Sequence, residues 1–164
     1  FGSGPSEQSI AYMAEVYTQC AELAKNVDIP LVLEAEPVQQ VNTPDVWLRI
    51  LRSADSPYMR ALCDFAHINV LSRQKPLELL KEVQPYIGYT HLAGNDGTCT
   101  RIESRSSTHL ALDEGSMDWK AMLNQILAAG YDGWLDVDVW ENPDPFGATE
   151  TGKRALDEFL AGWP

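Results

Sequence analysis

The sequence has no long apolar run, few cysteines and histidines, and little positive charge. Its two most apolar stretches, Ile29 to Leu33 and Leu135 to Val139, are too short to cross a bilayer. No charged-then-apolar leader precedes a cleavage site at the N-terminus, so the expectation is a soluble chain with no membrane partner. Cys20, Cys63 and Cys99 are odd in number and widely spaced, without a CxxC pair, which argues against a disulfide framework and favours a reducing, cytoplasmic setting. Twelve basic residues stand against 24 acidic ones, a formal charge of -12. Such a surface repels a phosphate backbone, which excludes nucleic acid as a partner and favours a small neutral or cation-assisted substrate. Low-complexity tracts and linkers are also missing. At 164 residues, 45% hydrophobic and 22% charged, the chain is expected to form one globular domain spanning 1–164 with a substantial core.

What is present is an alternation of helix-like and strand-like segments, the signature of a parallel α/β fold. Ile10, Met13, Ala14, Tyr17, Ala21 and Ala24 recur at helical spacing behind a capping Ser6, and this helix is expected to end near Asn26. Ile29 to Glu34 is an apolar run stopping at carboxylates, as a buried parallel strand does when it delivers acids to a loop. Thr43-Pro44 opens a second helix that Ser56-Pro57 breaks. A short strand from Arg60 to Cys63 runs into Asp64-Phe65-Ala66-His67, and a helix begins near Pro76. Ile87 to Leu92 is a third strand, followed by a polar loop to about Gly115; loops of this length tend to be active-site elements or disordered. Asp118 caps a helix through Ala129, Gly133 to Val139 is a fourth strand, and Ala148 to Leu160 closes the chain as a helix.

Four strands and five helices that open on a helix are an odd start for a self-contained fold. A small doubly wound sheet shares the alternation, but a (β/α)8 TIM barrel, which needs about 250 residues, accounts for it better if this chain is its C-terminal half. Each strand ends in a chemically active residue: Glu34, Asp64, His91 and Asp138. In a parallel barrel all strand C-termini open on one face, so these four can converge on a point. Three carboxylates and one imidazole make a hard-to-borderline set, suited to a divalent ion, manganese first and magnesium or cobalt next.

The segments carrying these residues are Leu31-Val32-Leu33-Glu34, Asp64-Phe65-Ala66-His67, Tyr89-Thr90-His91-Leu92, Gly115-Ser116-Met117-Asp118-Trp119 and Gly130-Tyr131-Asp132-Gly133. In that order they resemble the xylose-isomerase-like barrels that include ketose 3-epimerases, hydroxypyruvate isomerases and inosose dehydratases, over nearly the whole chain. The resemblance implies a metal held by Glu34, Asp64, His91 and Asp138, with His67 reaching a substrate hydroxyl or carbonyl. Glu34 and Asp138 would double as acid and base, moving a proton through an enediolate on a keto sugar or polyol derivative. The final strand departs from the family pattern, which usually presents Glu at the position of Asp138; Asp136, one pleat earlier, and Glu141 are further candidates. No lysine or arginine follows His91 closely, where relatives often place a substrate-binding cation, leaving Arg101 in the long loop as the candidate. Trp140, next to the mouth, is a candidate sugar-stacking ring, whereas Trp119 and Trp134 are expected in the core and Glu36 and His109 at the surface.

The function expected is therefore a metal-dependent sugar isomerase or epimerase. A lyase with the same first step, a dehydratase or a C-glycoside-cleaving enzyme, is the alternative, and a non-catalytic sugar- or partner-binding half-barrel is the other class. A metal-dependent DNA-repair endonuclease would need more metal-binding histidines and a basic groove. Unpaired barrel edges call for a covering partner, either a missing N-terminal half-barrel or a second copy of the chain.

Overall fold

The computed structural model describes residues 4–100, 105–140 and 142–163. Its elements are α1 (Glu7–Asn26), β1 (Leu31–Glu34), α2 (Pro44–Ala54), β2 (Met59–Asp64), α3 (Phe65–Leu71), α4 (Pro76–Val83), a 3-10 turn at Gln84–Tyr86, β3 (Ile87–Leu92), α5 (Trp119–Ala128), β4 (Leu135–Val137) and α6 (Pro145–Ala161). The four strands form one sheet in the order β1-β2-β3-β4, every pair parallel. Sequential parallel neighbours joined by helices are the repeating unit of a (β/α) barrel, and among the described residues there are four strands, with β1 and β4 as open edges.

Local chemistry sets the boundaries. Ser6, Thr43, Asp64, Asp118 and Asp144 each accept a backbone N–H of the following first turn through the side chain, so five of the six helices among the described residues begin on a capping oxygen. β1 begins at Leu31 rather than Ile29, because Pro30 has no N–H for the ladder and the Ile29 N–H closes α1 on Ala24. α6 begins three residues earlier than Ala148: Asp144-Pro145 repeats the cap-then-proline pattern of Thr43-Pro44. α3 is an element beyond the five expected. It follows β2 without a loop, and its residues through Val70 are all buried, so no polar face betrays its period.

The two faces of the sheet are unlike. Met59, Ala61 and Cys63 of β2 point into a core with Trp47, Ile50 and Leu51 of α2, Leu80 and Val83 of α4, and Met122, Leu123 and Ile126 of α5. The Trp47 indole N–H donates to the Leu33 carbonyl at 2.9 Å, tying α2 to β1. The opposite face carries Val32, Leu62, Tyr89 and Asp136, all exposed or half-exposed, where a complete barrel has its lumen. Trp119 is in the core as expected, but Trp134, in the loop before the edge strand β4, is exposed. The three cysteines are free thiols, and no helix among the described residues is long and apolar enough to cross a membrane.

The long loop after β3 has structure of its own. Gly94 bridges Leu110 and Cys99 bridges Ser107 in antiparallel fashion, while Asn95 bridges Gly115. Buried Asn95 is the clasp. Its amide donates to the Thr98 and Thr108 carbonyls, and its side-chain oxygen accepts from Asn69 of α3 and from the Gly97 N–H. A Cβ at Gly94 would stand 2.2 Å from the Ala111 carbonyl oxygen, so only glycine permits this crossing. The loop thereby folds back over the sheet and carries residues 106–112 to the strand ends.

Candidate functional site

Strand direction assembles the first group of side chains. Glu34 ends β1, Asp64 ends β2, His91 is the penultimate residue of β3, and Asp138 follows β4, its N–H still paired to Leu92. His91 Nδ1 lies 3.6 Å from Glu34 Oε1, 3.7 Å from Asp64 Oδ2 and 3.2 Å from Asp138 Oδ2. Two of these approaches are too long for a hydrogen bond and the third lacks its alignment, and Nδ1 is buried without a hydrogen-bond partner among the described residues. Ligands about 2.1 Å from an ion stand roughly 3.0 Å apart in an octahedron and 3.4 Å apart in a tetrahedron. A ring nitrogen surrounded by three carboxylates near those spacings suits a divalent cation that takes the place of its proton, and Glu34, Asp64 and His91 all offer ligand atoms within 4.8 Å of one another.

The electrostatics agree. Burial works against a charged His91, but the Asp138 and Glu34 carboxylates and then Asp64 raise its pKa from 6.5 to about 10, so the metal-free ring is an imidazolium. Burial opposes ionisation of Asp138 too, yet the His91 cation holds it below the ordinary carboxylate range. Asp136 is exposed and accepts a hydrogen bond from Tyr89 at 3.3 Å, one layer down in the lumen, outside this group.

A second group lies behind the first. Asp64 is sealed from solvent; Oδ1 accepts the His67 N–H at 2.8 Å as the cap of α3, and Oδ2 is 3.1 Å from His109 Nε2. Burial would push its carboxyl up, but the His67 and His109 imidazoles lower it to about 2. His67 projects from the first turn of α3, with Nδ1 2.9 Å from Ser107 Oγ and Nε2 3.7 Å from Glu34 Oε1. The expected surface position for His109 is overturned: its side chain is 1% exposed, with its ring 5.2 Å from that of His67 in an edge-to-face arrangement. His109 Nδ1 lies 2.8 Å from the Ser107 carbonyl, an acceptor only, so Nδ1 carries a hydrogen. Burial lowers the His109 pKa, but Asp64 more than compensates and raises it. Asp64, His67 and His109 also form a buried triad with ligand atoms within 4.8 Å.

At the mouth, Trp140 is 41% exposed and its ring lies 5.9 Å from that of His109. Glu36 is half-buried beside Glu34. Arg101 and Glu141 lie outside the described residues. Sequence reasoning missed Ser107 and His109, for which one signal existed: a histidine followed by the apolar run Leu110-Ala111-Leu112, inside a loop that comes after a strand ending in a candidate ligand.

The family model described as xylose isomerase-like TIM barrel matches residues 1–159. An inosose dehydratase of Lacticaseibacillus casei is 24% identical over 152 residues, 84% of this chain and 50% of its own length. Among solved structures, a xylose isomerase-like TIM barrel protein from Mycobacterium smegmatis in complex with magnesium superposes at a TM-score of 0.76 with 18% identity, covering 98% of this chain and 54% of its own. IolI protein with a bound zinc atom gives 0.79 and 17%, covering 99% and 60%, and L-ribulose 3-epimerase gives 0.73 and 20%, covering 98% and 57%. The chain thus spans about half the length of the relatives it matches. With four parallel strands in sequential order and a family match over nearly its whole length, the chain belongs to the xylose isomerase-like TIM barrel family.

Proposed function

We propose that the chain carries the metal-binding, proton-transferring half of a sugar isomerase or epimerase acting on a keto sugar or polyol derivative. The observation that carries this is the convergence of Glu34, Asp64 and Asp138 on the partnerless Nδ1 of His91. These four would hold a manganese, magnesium or cobalt ion; when bound, it supplies positive charge that polarises a substrate carbonyl or hydroxyl and acidifies the adjacent C–H. The chain's own residues divide the remaining work. The Glu34 and Asp138 side chains are 33% and 25% exposed, open to the mouth and anchored on different strands, so one can take a proton from a substrate carbon and the other return it. The sealed Asp64 cannot reach a substrate and serves to hold. His67 Nε2 faces Glu34 and meets a substrate oxygen, and Trp140 offers an apolar face to the ring C–H groups, with Arg101 a further substrate-binding candidate.

A dehydratase is the second reading, favoured by the inosose dehydratase relative. It shares the first step, C–H proton removal beside a polarised oxygen, and then expels a hydroxyl rather than returning the proton. In either case the open edges of β1 and β4, the exposed lumen face and the half-length match call for a covering N-terminal half-barrel, with a second copy of the chain as the other source. Incubating the chain, alone and with an N-terminal half-barrel from a relative, with keto sugars and manganese in deuterated water tests the proposal. Deuterium entering the sugar carbon next to the carbonyl, and lost with Asp138→Asn, is the expected result. Metal-dependent loss of water from the sugar selects the dehydratase, and no exchange under any condition overturns both.

A further inference from the structure

Two imidazoles of the site are held from one loop residue, but by different kinds of atom. Ser107 is fully buried. Its side-chain Oγ is 2.9 Å from His67 Nδ1, and its backbone carbonyl is 2.8 Å from His109 Nδ1. The difference matters because a carbonyl only accepts, whereas a hydroxyl both donates and accepts. His109 is therefore fixed with a hydrogen on Nδ1 and with Nε2 aimed at Asp64 Oδ2, 3.1 Å away. His67 is not fixed in this way. If Oγ–H donates to Nδ1, the ring carries its hydrogen on Nε2; if Nδ1–H donates to Oγ, Nε2 is bare. Either tautomer keeps the same bond and the same ring plane.

We propose that Ser107 is a positioning residue for His67: its hydroxyl holds the ring with Nε2 toward Glu34 and the site mouth while leaving both ring tautomers available to a bound substrate. The use of this seat rests on the reading of the site as a sugar isomerase or epimerase. In an isomerisation the same substrate oxygen is a carbonyl in one isomer and a hydroxyl in the other. A carbonyl needs a donor, and a hydroxyl can use either a donor or an acceptor, so a ring that offers Nε2 in both forms suits both ends of the reaction. Geometry adds a reason why the ring needs holding. His67 stands edge-to-face on His109, and its two other polar neighbours, Glu34 Oε1 and Asp64 Oδ1, are 3.7 and 3.8 Å away, beyond hydrogen-bond reach. Ser107 Oγ is the ring's hydrogen-bond partner among the described residues.

The chain has three histidines, so 15N-histidine labelling gives a spectrum of three rings, assignable with His67→Asn and His109→Asn. Long-range 1H–15N correlations report which ring nitrogen carries hydrogen. They need no turnover, and they are recorded without metal and again with magnesium. Ser107→Ala is expected to move the His67 ring nitrogens and broaden them as the ring loses its seat, while His109, bonded to the backbone carbonyl, keeps its signals. Ser107→Thr, which restores a hydroxyl, is expected to restore the His67 pattern. Should Ser107→Ala not fold, Ser107→Cys removes most of the bond at near-constant shape and gives the same comparison. Unchanged His67 signals overturn the proposal. So does a change of equal size at His109, which would mean that the hydroxyl merely holds the loop. Where a substrate is turned over, Ser107→Ala is expected to raise KM and lower kcat by roughly tenfold together, with recovery in Ser107→Thr. Failure to find any substrate leaves the ring assignment to stand or fall by itself.

Discussion

The open side of the site and its sealed side are built from the same kinds of residue and behave differently. On the open side, Glu34, His91 and Asp138 sit at the ends of three strands with side chains 22% to 33% exposed. On the sealed side, Asp64, His67 and His109 have side chains 1% to 5% exposed and are tied by hydrogen bonds to α3 and to the long loop. Asp64 has a donor or imidazole nitrogen on each oxygen and is held in place, whereas Asp138 has Oδ1 on the Trp140 N–H and turns Oδ2 to His91 and the mouth, where it is free to move a proton. Residue type alone does not separate Asp64 from Asp138; the partners on their oxygens do.

The largest difference should appear on substituting the two aspartates. Asp64→Ala removes the cap of α3 and the counter-charge of buried His109 together, and is expected to destabilise the chain by about 3 kcal/mol as well as abolish ion binding. Asp138→Ala is expected to weaken ion binding at least tenfold while changing metal-free stability by less than about 1 kcal/mol. Urea unfolding and metal titration of both variants measure this; equal losses of stability would erase the distinction between the two sides.

The pH dependence of the metal-free chain separates the two sides next. Asp64 has its pKa lowered from 3.8 to about 2, so its contribution, about 2 kcal/mol, is present above pH 3.8 and lost as pH falls through 2. His91 has its pKa raised from 6.5 to about 10, so its contribution is present below pH 6.5 and lost as pH rises through 10. Unfolding followed across pH should therefore show an acid limb removed by Asp64→Asn and an alkaline limb removed by His91→Ala. Because a ligand imidazole must be neutral, ion binding near pH 8 should release about one proton per ion, readable by calorimetry in buffers of different ionisation enthalpy.

The smallest effect is expected at the mouth. Trp140→Ala should leave stability within about 0.5 kcal/mol, since the ring is 41% exposed, and raise KM for a sugar a few-fold with little change in kcat. A large loss of stability would place Trp140 with the sealed side.

The open side was legible in the sequence, as were Asp64 and His67 of the sealed side; His109 and the Ser107 that holds it were not. Glu34, Asp64, His91 and Asp138 announce themselves because a strand's apolar run stops at each or just before it, and parallel strands bring their ends to one face. The same regularity predicted β3 at its observed bounds and the caps at Ser6, Thr43 and Asp118. His109 and Ser107 belong to a polar loop, and their burial depends on the Asn95 clasp and the crossing at Gly94, contacts between residues far apart in sequence that no local pattern encodes. Asp136 and Asp138 share a face of the strand by alternation, and it took the pairing of Asp138 with Leu92 and its approach to His91 to set them apart. Trp134, expected in the core, is exposed because it precedes β4, an edge strand with no neighbour on its outer side among the described residues.

The central claim is that four strand-end groups make one cation site on His91 Nδ1. Titrating the metal-free chain with manganese, beside His91→Ala, tests it most directly. One ion bound per chain, lost in the variant while Ser107→Ala still binds, is the predicted result; no binding in the unsubstituted chain, or equal binding with and without His91, would contradict it.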